Sequence, residues 1–117
     1  MLRLASERDS LSVVNDQIGT PTNAVDLAEC LVKMIQTDNR QPTTDNFGIY
    51  NFSNEGQCSW YDFAKKIFDV NEISINLQPI PTLAYPTPAK RPAYSVLDKS
   101  KIKAVFGVAI KDWSESL

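Results

Sequence analysis

The stretch DQIGTPT, residues 16–22, connects a strand-like run at residues 11–14 to a helix-like run that begins near Asn23. Gly19 can take a positive φ at no steric cost. Pro21 fixes its own φ and pushes the residue before it towards an extended conformation. The stretch therefore predicts a tight strand–loop–helix connection, and the rest of the chain reads as short strands and amphipathic helices on either side of it.

The same loop suits a polar ligand. It offers an acid, an amide and two hydroxyls from Asp16, Gln17, Thr20 and Thr22. Thr22 or Asn23 can cap the helix, and the backbone N–H groups at a helix start favour an anion. An ordinary strand-to-helix turn fits the same residues, because such loops are common. From the residues alone both interpretations stay open.

Length and composition predict one domain, residues 1–117, of a cytoplasmic globular protein. Hydrophobic residues make up 43% and charged residues 22% of the chain. A net charge of -2 without a basic run argues against nucleic acid or an anionic membrane as partner. No apolar run approaches the roughly 20 residues that span a bilayer. The first residues turn polar too early for a signal peptide.

Cysteine, histidine and glycine content limits the chemistry. Cys30 and Cys58 form no CxxC motif, so we expect reduced thiols rather than a disulfide. The sequence has no histidine, which excludes a His-based triad or a His-ligated metal site within it, and no metal site is predicted. None of the four glycines forms GxGxxG, so the sequence carries no nucleotide-binding fingerprint of its own.

Two helices stand out by their apolar period. The first covers residues 23–37, and the second starts after an N-cap at Ser59, with Asp62 three residues on, and runs to about Asp69. The predicted buried face of the first helix comprises Leu27, Ala28, Leu31 and Ile35. That of the second comprises Trp60, Phe63, Ala64, Ile67 and Phe68.

The remaining elements are shorter. Residues 37–46 read as a surface loop, residues 47–52 as a strand, and residues 73–80 as an edge strand. A helix over residues 99–106 follows an N-cap at Asp98 and ends at Gly107, and another begins at Asp112. Because no cap precedes the first helix and the last helix stops within two turns, we expect the chain to be part of a longer protein.

Residues Tyr61 and Lys65 match Tyr-x-x-x-Lys, the catalytic pair of short-chain dehydrogenases. Two residues at this spacing coincide often by chance, and the pair falls on the polar flank of an amphipathic helix. We therefore predict no catalytic residue in this chain. A different stretch, residues 79–92, holds five of the seven prolines and is extended and stiff. It fits a ligand-binding segment and a surface crossing equally well.

Taken together, short motifs over nearly the whole chain resemble the C-terminal part of the dTDP-4-dehydrorhamnose reductase family, a branch of the extended short-chain dehydrogenases. The matching pieces, in order, are LRLA (2–5), LSVVNDQIGTPT (11–22), GIYNF (48–52), SWYDFA (59–64), YPTPAKRP (85–92), SVLD (95–98) and DW (112–113). Each piece is short, but their order and spacing together are specific.

The resemblance implies an α/β fold, the C-terminal fragment of a Rossmann-type extended short-chain dehydrogenase. It implies an enzyme that reduces dTDP-4-dehydro-L-rhamnose to dTDP-L-rhamnose with NADPH or NADH. In the family the dinucleotide and the catalytic Ser/Thr, Tyr and Lys belong to an N-terminal half, which this sequence lacks. The fragment is then the substrate-binding part, inactive alone, with a dTDP-sugar as its partner.

Residue by residue, the resemblance assigns a wall of the substrate cleft to Asp16, Gln17, Gly19, Thr20 and Thr22. Arg91 matches an arginine near the pyrophosphate, where a guanidinium fork suits two phosphate oxygens. Lys90 is a weaker match, and Tyr94 departs from the pattern. Where the N-terminal half packs in relatives we expect an apolar patch, which favours self-association or a homodimer.

Two other functions fit the same residues. One is a non-catalytic regulatory or binding subunit of the same fold. The N-terminal half would distinguish the two, because an intact catalytic set of Ser/Thr, Tyr and Lys there would favour the enzyme. The other is a related nucleotide-sugar epimerase or dehydratase, against which Gln17 and the Gly19-x-Pro21-Thr22 pattern argue.

Overall fold

The computed structural model describes residues 1–38 and 46–117. These residues form two compact units. The first unit comprises Met1–Gly19, Gln57–Val96 and Leu117, and the second comprises Thr20–Gly56 and Leu97–Ser116. The loop predicted at residues 37–46 lies largely outside the described residues, and the single domain stays a prediction.

The described elements are, in chain order, α1 (Leu2–Glu7), β1 (Ser10–Val14), β2 (Ile18–Gly19), α2 (Ala24–Asp38), β3 (Cys58–Ser59), α3 (Trp60–Val70), β4 (Asn76–Ile80), a 3-10 helix (Thr82–Ala84) and α4 (Ser100–Phe106). The mixture of helices with a parallel strand pair agrees with the predicted α/β class. The units alternate along the sequence, since the chain leaves the first unit after β2 and returns before β3.

In the first unit, two short sheets bring distant parts of the chain together. Strand β1 runs parallel to β4, with Leu11 opposite Leu77, and β2 runs antiparallel to β3. The predicted strand at residues 73–80 begins only at Asn76, where pairing with β1 starts. Helix α3 packs against β1, and its Ala64 and Phe68 form the buried core with Leu11.

The start of α3 was predicted correctly because its signal is local. The Ser59 hydroxyl accepts a hydrogen bond from the Asp62 N–H at 3.0 Å, and the Asp62 carboxylate accepts one from the Ser59 N–H at 3.0 Å. This capping box satisfies two N–H groups that the first turn leaves without partners. The Ser59 hydroxyl and N–H also lower the pKa of Asp62. Trp60, by contrast, is half exposed rather than part of the predicted buried face.

In the second unit, α2 and α4 enclose a core of Cys30, Ile102, Phe106 and Val108. The predicted buried face of α2 was wrong in part, because Leu31 is 49% and Ile35 is 63% exposed. Cys30 and Met34 pack inward instead. Since α2 is apolar on more than one side, its period alone does not select the side that meets α4.

Polar side chains occupy the second unit's interior as well. Lys99 is only 7% exposed, and its Nζ donates to the backbone oxygen of Asn54 at 2.8 Å. The same ammonium forms an ion pair of 3.5 Å with Glu55, whose other carboxylate oxygen pairs with Lys103. Lys103 is the main cause of the lowered pKa of Glu55. A buried cation is tolerated here because it is both paired and hydrogen-bonded.

Three further predictions in the second unit need correction or adjustment. Residues 47–52 do not form a strand, and Ile49 is 86% exposed, because no described segment pairs with this run. The predicted helix at Asp112 is a turn, in which the carboxylate accepts hydrogen bonds from the N–H and hydroxyl of Ser114. Helix α4 starts at Ser100, and it ends as predicted at Gly107, with φ at 59°.

Candidate functional site

A cavity of about 790 Å³ lies beside β1 in the first unit. Its walls come from the end of α1, from β1, from the start of α3 and from the segment that follows β4. Parts of the chain that lie far apart in sequence therefore meet there. The side chains that can contact a ligand through charge, hydrogen bonds or an aromatic ring are Arg8, Ser10, Ser12, Gln17, Trp60, Tyr85, Thr87 and Arg91.

Two of the predicted site residues, Gln17 and Arg91, line this cavity together. Arg91 belongs to the proline-rich segment and is exposed, and Arg8 adds a second guanidinium to the same cavity. Among the described residues neither guanidinium has an ion-pair partner within the structure. A cavity with two available guanidinium groups is suited to a ligand with two or more negative charges.

Asp16 does not line the cavity but holds the segment that does. Its carboxylate accepts hydrogen bonds from the Thr82 N–H at 2.9 and 3.0 Å, and another from the Thr82 hydroxyl at 2.5 Å. The Thr82 hydroxyl and N–H hold the pKa of Asp16 below its ordinary value. Thr82 starts the 3-10 helix, after which Tyr85, Thr87 and Arg91 reach the cavity. Asp16 thus fixes the start of this wall.

Gly19 is required for space rather than for its backbone angle. Its φ is not positive, so the freedom that glycine offers is not used there, and the glycines with positive φ among the described residues are Gly48, Gly56 and Gly107. A Cβ at Gly19 would lie 2.9 Å from the Ser95 hydroxyl oxygen. The close approach follows from Ile18, whose backbone N–H and oxygen bond to Ala93 and Ser95 at 2.8 and 2.9 Å.

Thr20 and Thr22, the last two predicted site residues, belong to the second unit. The Thr20 hydroxyl donates to the Gly56 backbone oxygen at 2.8 Å. Asn23 caps α2, because its side-chain oxygen accepts from the N–H groups of Val25 and Asp26 at 2.8 and 3.2 Å. The N–H groups that were predicted to favour an anion are thus engaged within the chain itself.

Sequence reasoning missed Arg8, Trp60 and Tyr85 as cavity residues. Arg8 follows a short helix whose end reads as solvated surface, and Trp60 fits the apolar period of α3. No local pattern indicates that these side chains converge, since convergence depends on the parallel pairing of β1 with β4. Only for Tyr85 did the sequence give an indication, because Tyr85 lies within the proline-rich segment that fits ligand binding.

Tyr61 and Lys65 line a different cavity of the first unit, of about 300 Å³, between α3 and the approach to β4. They share no wall with Gln17 or Arg91. Over residues 1–38 and 46–117, no group of three or more His, Cys, Asp or Glu side chains could hold a metal ion. No helix within these ranges is long and apolar enough to cross a membrane.

Comparison with known proteins identifies relatives over the whole chain. A family model described as RmlD substrate binding domain matches residues 1–117. A dTDP-4-dehydrorhamnose reductase of Aggregatibacter actinomycetemcomitans is 45% identical over 123 residues, which cover 100% of this chain and 42% of that protein. The chain thus spans about two fifths of the length of the curated relatives it matches.

Solved structures give the same relationship. A dTDP-4-dehydrorhamnose reductase from Bacillus anthracis in complex with NADP superposes with a TM-score of 0.88 at 36% identity, over 98% of this chain and 38% of that one. A second, from Clostridium acetobutylicum, gives a TM-score of 0.87 at 40% identity, over 98% of this chain and 39% of that one.

Proposed function

The chain belongs to the RmlD substrate binding domain family, and from this premise we propose that it forms the sugar-nucleotide side of the cleft in a dTDP-4-dehydrorhamnose reductase. The complete protein reduces dTDP-4-dehydro-L-rhamnose to dTDP-L-rhamnose, with NADPH or NADH as the hydride donor. The chain itself contributes binding and orientation of the substrate, and no catalytic residue.

One observation carries this proposal: the cavity beside β1 combines two guanidinium groups with polar and aromatic side chains. The diphosphate of a dTDP-sugar carries the negative charge that Arg8 and Arg91 can neutralise. Trp60 offers an aromatic surface that is 49% exposed, on which a planar base can stack. Gln17 adds an amide for the polar edge of the base.

The dinucleotide is assigned to the rest of the protein. The four glycines of this chain form no phosphate-binding loop, and no wall of the two cavities described is glycine-rich. NADPH or NADH supplies a hydride to the carbonyl when it is bound. The residues of this chain would hold the diphosphate and the base, which fixes the distance between the sugar and the hydride donor.

The proposal includes a cytoplasmic location and self-association of the isolated chain. Cys30 and Cys58 form no disulfide, which fits a reducing compartment. In the second unit, α2 carries an exposed apolar stripe of Val25, Val32 and Ile35 at 64%, 54% and 63% exposure. Exposed apolar surface on a helix face is typical of an interface, and here it favours contact with a second copy.

Titration calorimetry with dTDP tests the substrate assignment, on the protein at its full natural length. Arg91→Ala should weaken dTDP binding by about 1.5–3 kcal/mol, the scale of a hydrogen bond to a charged group. Lys90→Ala is the matched control, since Lys90 is the adjacent cation but does not line the cavity. Equal losses in both variants would point to general charge attraction and remove Arg91 from the site.

The activity is measured as the oxidation of NADPH, recorded by absorbance at 340 nm, with dTDP-4-dehydro-L-rhamnose as substrate. The full-length protein should oxidise NADPH with this substrate, and the isolated residues 1–117 should not. Turnover by the isolated chain would overturn the assignment of hydride transfer to the rest of the protein.

A further inference from the structure

A chain of hydrogen bonds in the first unit links Asp16 to Gln17 through Thr82. The Thr82 hydroxyl lies 2.5 Å from Asp16 Oδ1 and 3.0 Å from Gln17 Nε2. The Thr82 backbone N–H also donates to the Asp16 carboxylate. Asp16 and Thr82 stay outside the cavity, whereas Gln17 lines it. This chain of bonds therefore ends at a residue of the cavity wall.

The chemistry of the three groups fixes the direction of every bond. An ionised carboxylate only accepts, so the single hydroxyl proton of Thr82 goes to Asp16. With its proton committed, the Thr82 oxygen can only accept from Gln17. Gln17 must then present its NH₂ group to Thr82. The amide is therefore oriented by its partners, independently of the usual ambiguity between its oxygen and nitrogen.

Because the amide is planar, fixing the NH₂ group at Thr82 also fixes the oxygen. Gln17 Oε1 becomes the acceptor end of a residue that lines the cavity. A partner for this oxygen must be a hydrogen-bond donor. Without Asp16 the Thr82 hydroxyl could donate to Gln17, the amide could turn over, and the site would lose its preference between donors and acceptors.

We propose that Gln17 is a specificity-determining residue that accepts a hydrogen bond from the imide N3–H of the thymine base, with its orientation set by Asp16 through Thr82. This inference rests on the proposed function. The N3–H is the donor on the polar edge of thymine, between two carbonyl oxygens. Trp60 and the two guanidiniums in the same cavity suit the base plane and the diphosphate.

The test compares dTDP with its N3-methyl derivative, in which the donor is replaced by a methyl group. Titration calorimetry of the full-length wild-type protein should show dTDP binding about tenfold or more tightly than the methylated compound, because methylation leaves the acceptor without a partner. The ratio of the two affinities is the readout, because a variant that merely loosens the fold weakens both ligands alike.

Variants locate the source of this ratio. Gln17→Leu should bring the ratio to within about twofold, because no acceptor remains to be lost, and Thr82→Val should reduce it about threefold, because the amide is no longer held. Thr82→Ser keeps the hydroxyl and should restore the wild-type ratio. Thr37→Val, a hydroxyl loss on α2 in the second unit, should leave it unchanged.

Each of the other outcomes overturns a stated part of the proposal. If wild type binds dTDP but the ratio is the same in Gln17→Leu, Gln17 is not the acceptor, and the proposed function still stands. A ratio near one in wild type with a loss of dTDP affinity in Gln17→Leu would assign the amide to a sugar hydroxyl and refute the imide contact. Absence of dTDP binding in wild type would overturn the proposed function and this inference with it.

Discussion

The side-chain amide of Asn54, which is fully buried, donates a hydrogen bond of 2.6 Å to the carboxylate of Asp26. Its oxygen accepts from the backbone N–H of Asn23 at 2.8 Å. Replacing Asn54 by Ala would leave the Asn23 N–H without this acceptor, and it would remove one donor from the Asp26 carboxylate, which keeps Ser116 and Lys111. We expect Asn54→Ala to lower the free energy of unfolding by about 2–4 kcal/mol, measured by urea denaturation.

Asn51→Ala is the matched control for this change. Asn51 is exposed, and its side chain donates one hydrogen bond of 3.2 Å to the Asp98 backbone oxygen. Its loss should cost less than about 1 kcal/mol, because water replaces the bond. A similar loss of unfolding free energy in the two variants would show that the buried hydrogen bonds of Asn54 stabilise the chain no more than an exposed one.

Asn54 also illustrates what the sequence could predict. The capping box of Ser59 and Asp62 and the left-handed Gly107 depend on neighbours in sequence, and both were predicted correctly. Asn54 lies in a stretch that reads as a turn, and its partners Asp26 and Ser116 are distant along the chain. No local pattern predicts such a bond.

The candidate site also has a part that the sequence predicts and a part that depends on distant partners. Arg91 and Gln17 were predicted as site residues from a family resemblance, Gln17 also from a loop that suits a polar ligand, and both line the cavity beside β1. Arg8 and the Asp16–Thr82 bonds were missed, because they depend on β1 pairing with β4 in one register. The strand expected at residues 47–52 failed for a related reason, since a strand needs a partner that its own sequence does not specify.

The stability of the chain should fall in acid partly through Asp26. The Ser116 hydroxyl, then the Asn54 amide and Lys111, lower the pKa of this carboxyl below its ordinary value of 3.8. A lowered pKa in the folded state means that the unfolded state binds the proton first as pH falls. The contribution is therefore complete well above pH 3.8 and is lost as the pH falls through the lower folded pKa.

Urea unfolding between about pH 6 and about pH 2.5, a range that includes the ordinary carboxyl pKa values, checks this expectation. In Asp26→Asn the unfolding free energy should depend less steeply on pH than in wild type, and the two curves should converge at the acid end. Glu7→Gln is the control, because Glu7 forms only a solvent-exposed pair with Arg3. Parallel curves for wild type and Asp26→Asn would contradict the assignment.

Two glycines with the same kind of backbone angle should respond differently to alanine. Gly56 and Gly107 have φ values of 76° and 59°. A Cβ at Gly56 would press against the Asp112 carboxylate and lie 3.0 Å from Trp113 Cδ1, whereas a Cβ at Gly107 would meet nothing within 4 Å. Gly107→Ala should thus cost only the backbone strain, about 1–2 kcal/mol.

For Gly56→Ala the steric overlap adds to the same strain, so the loss should be larger by about 1–3 kcal/mol. Thermal unfolding of the two variants side by side isolates that difference, because the angular strain is common to both. If Gly107→Ala is as damaging as Gly56→Ala, crowding by Asp112 and Trp113 is not what requires glycine at position 56.

The apolar stripe on α2 should govern self-association of the isolated chain. Val32 and Ile35 are 54% and 63% exposed on one side of a helix whose other side already packs in the core. Replacing both by Lys places two like charges in any symmetric contact and removes its apolar area. The double variant should remain monomeric at concentrations where the wild-type chain associates, as measured by sedimentation velocity.

Val70→Lys provides the comparison, because Val70 ends α3 in the first unit and is 53% exposed. It adds a positive charge at a similarly exposed valine without touching the α2 stripe. Its association should match that of wild type. If Val70→Lys suppresses association as strongly as the double variant, the α2 stripe does not control association. Overall charge repulsion would not explain such a result, because each added lysine moves the net charge of -2 towards zero.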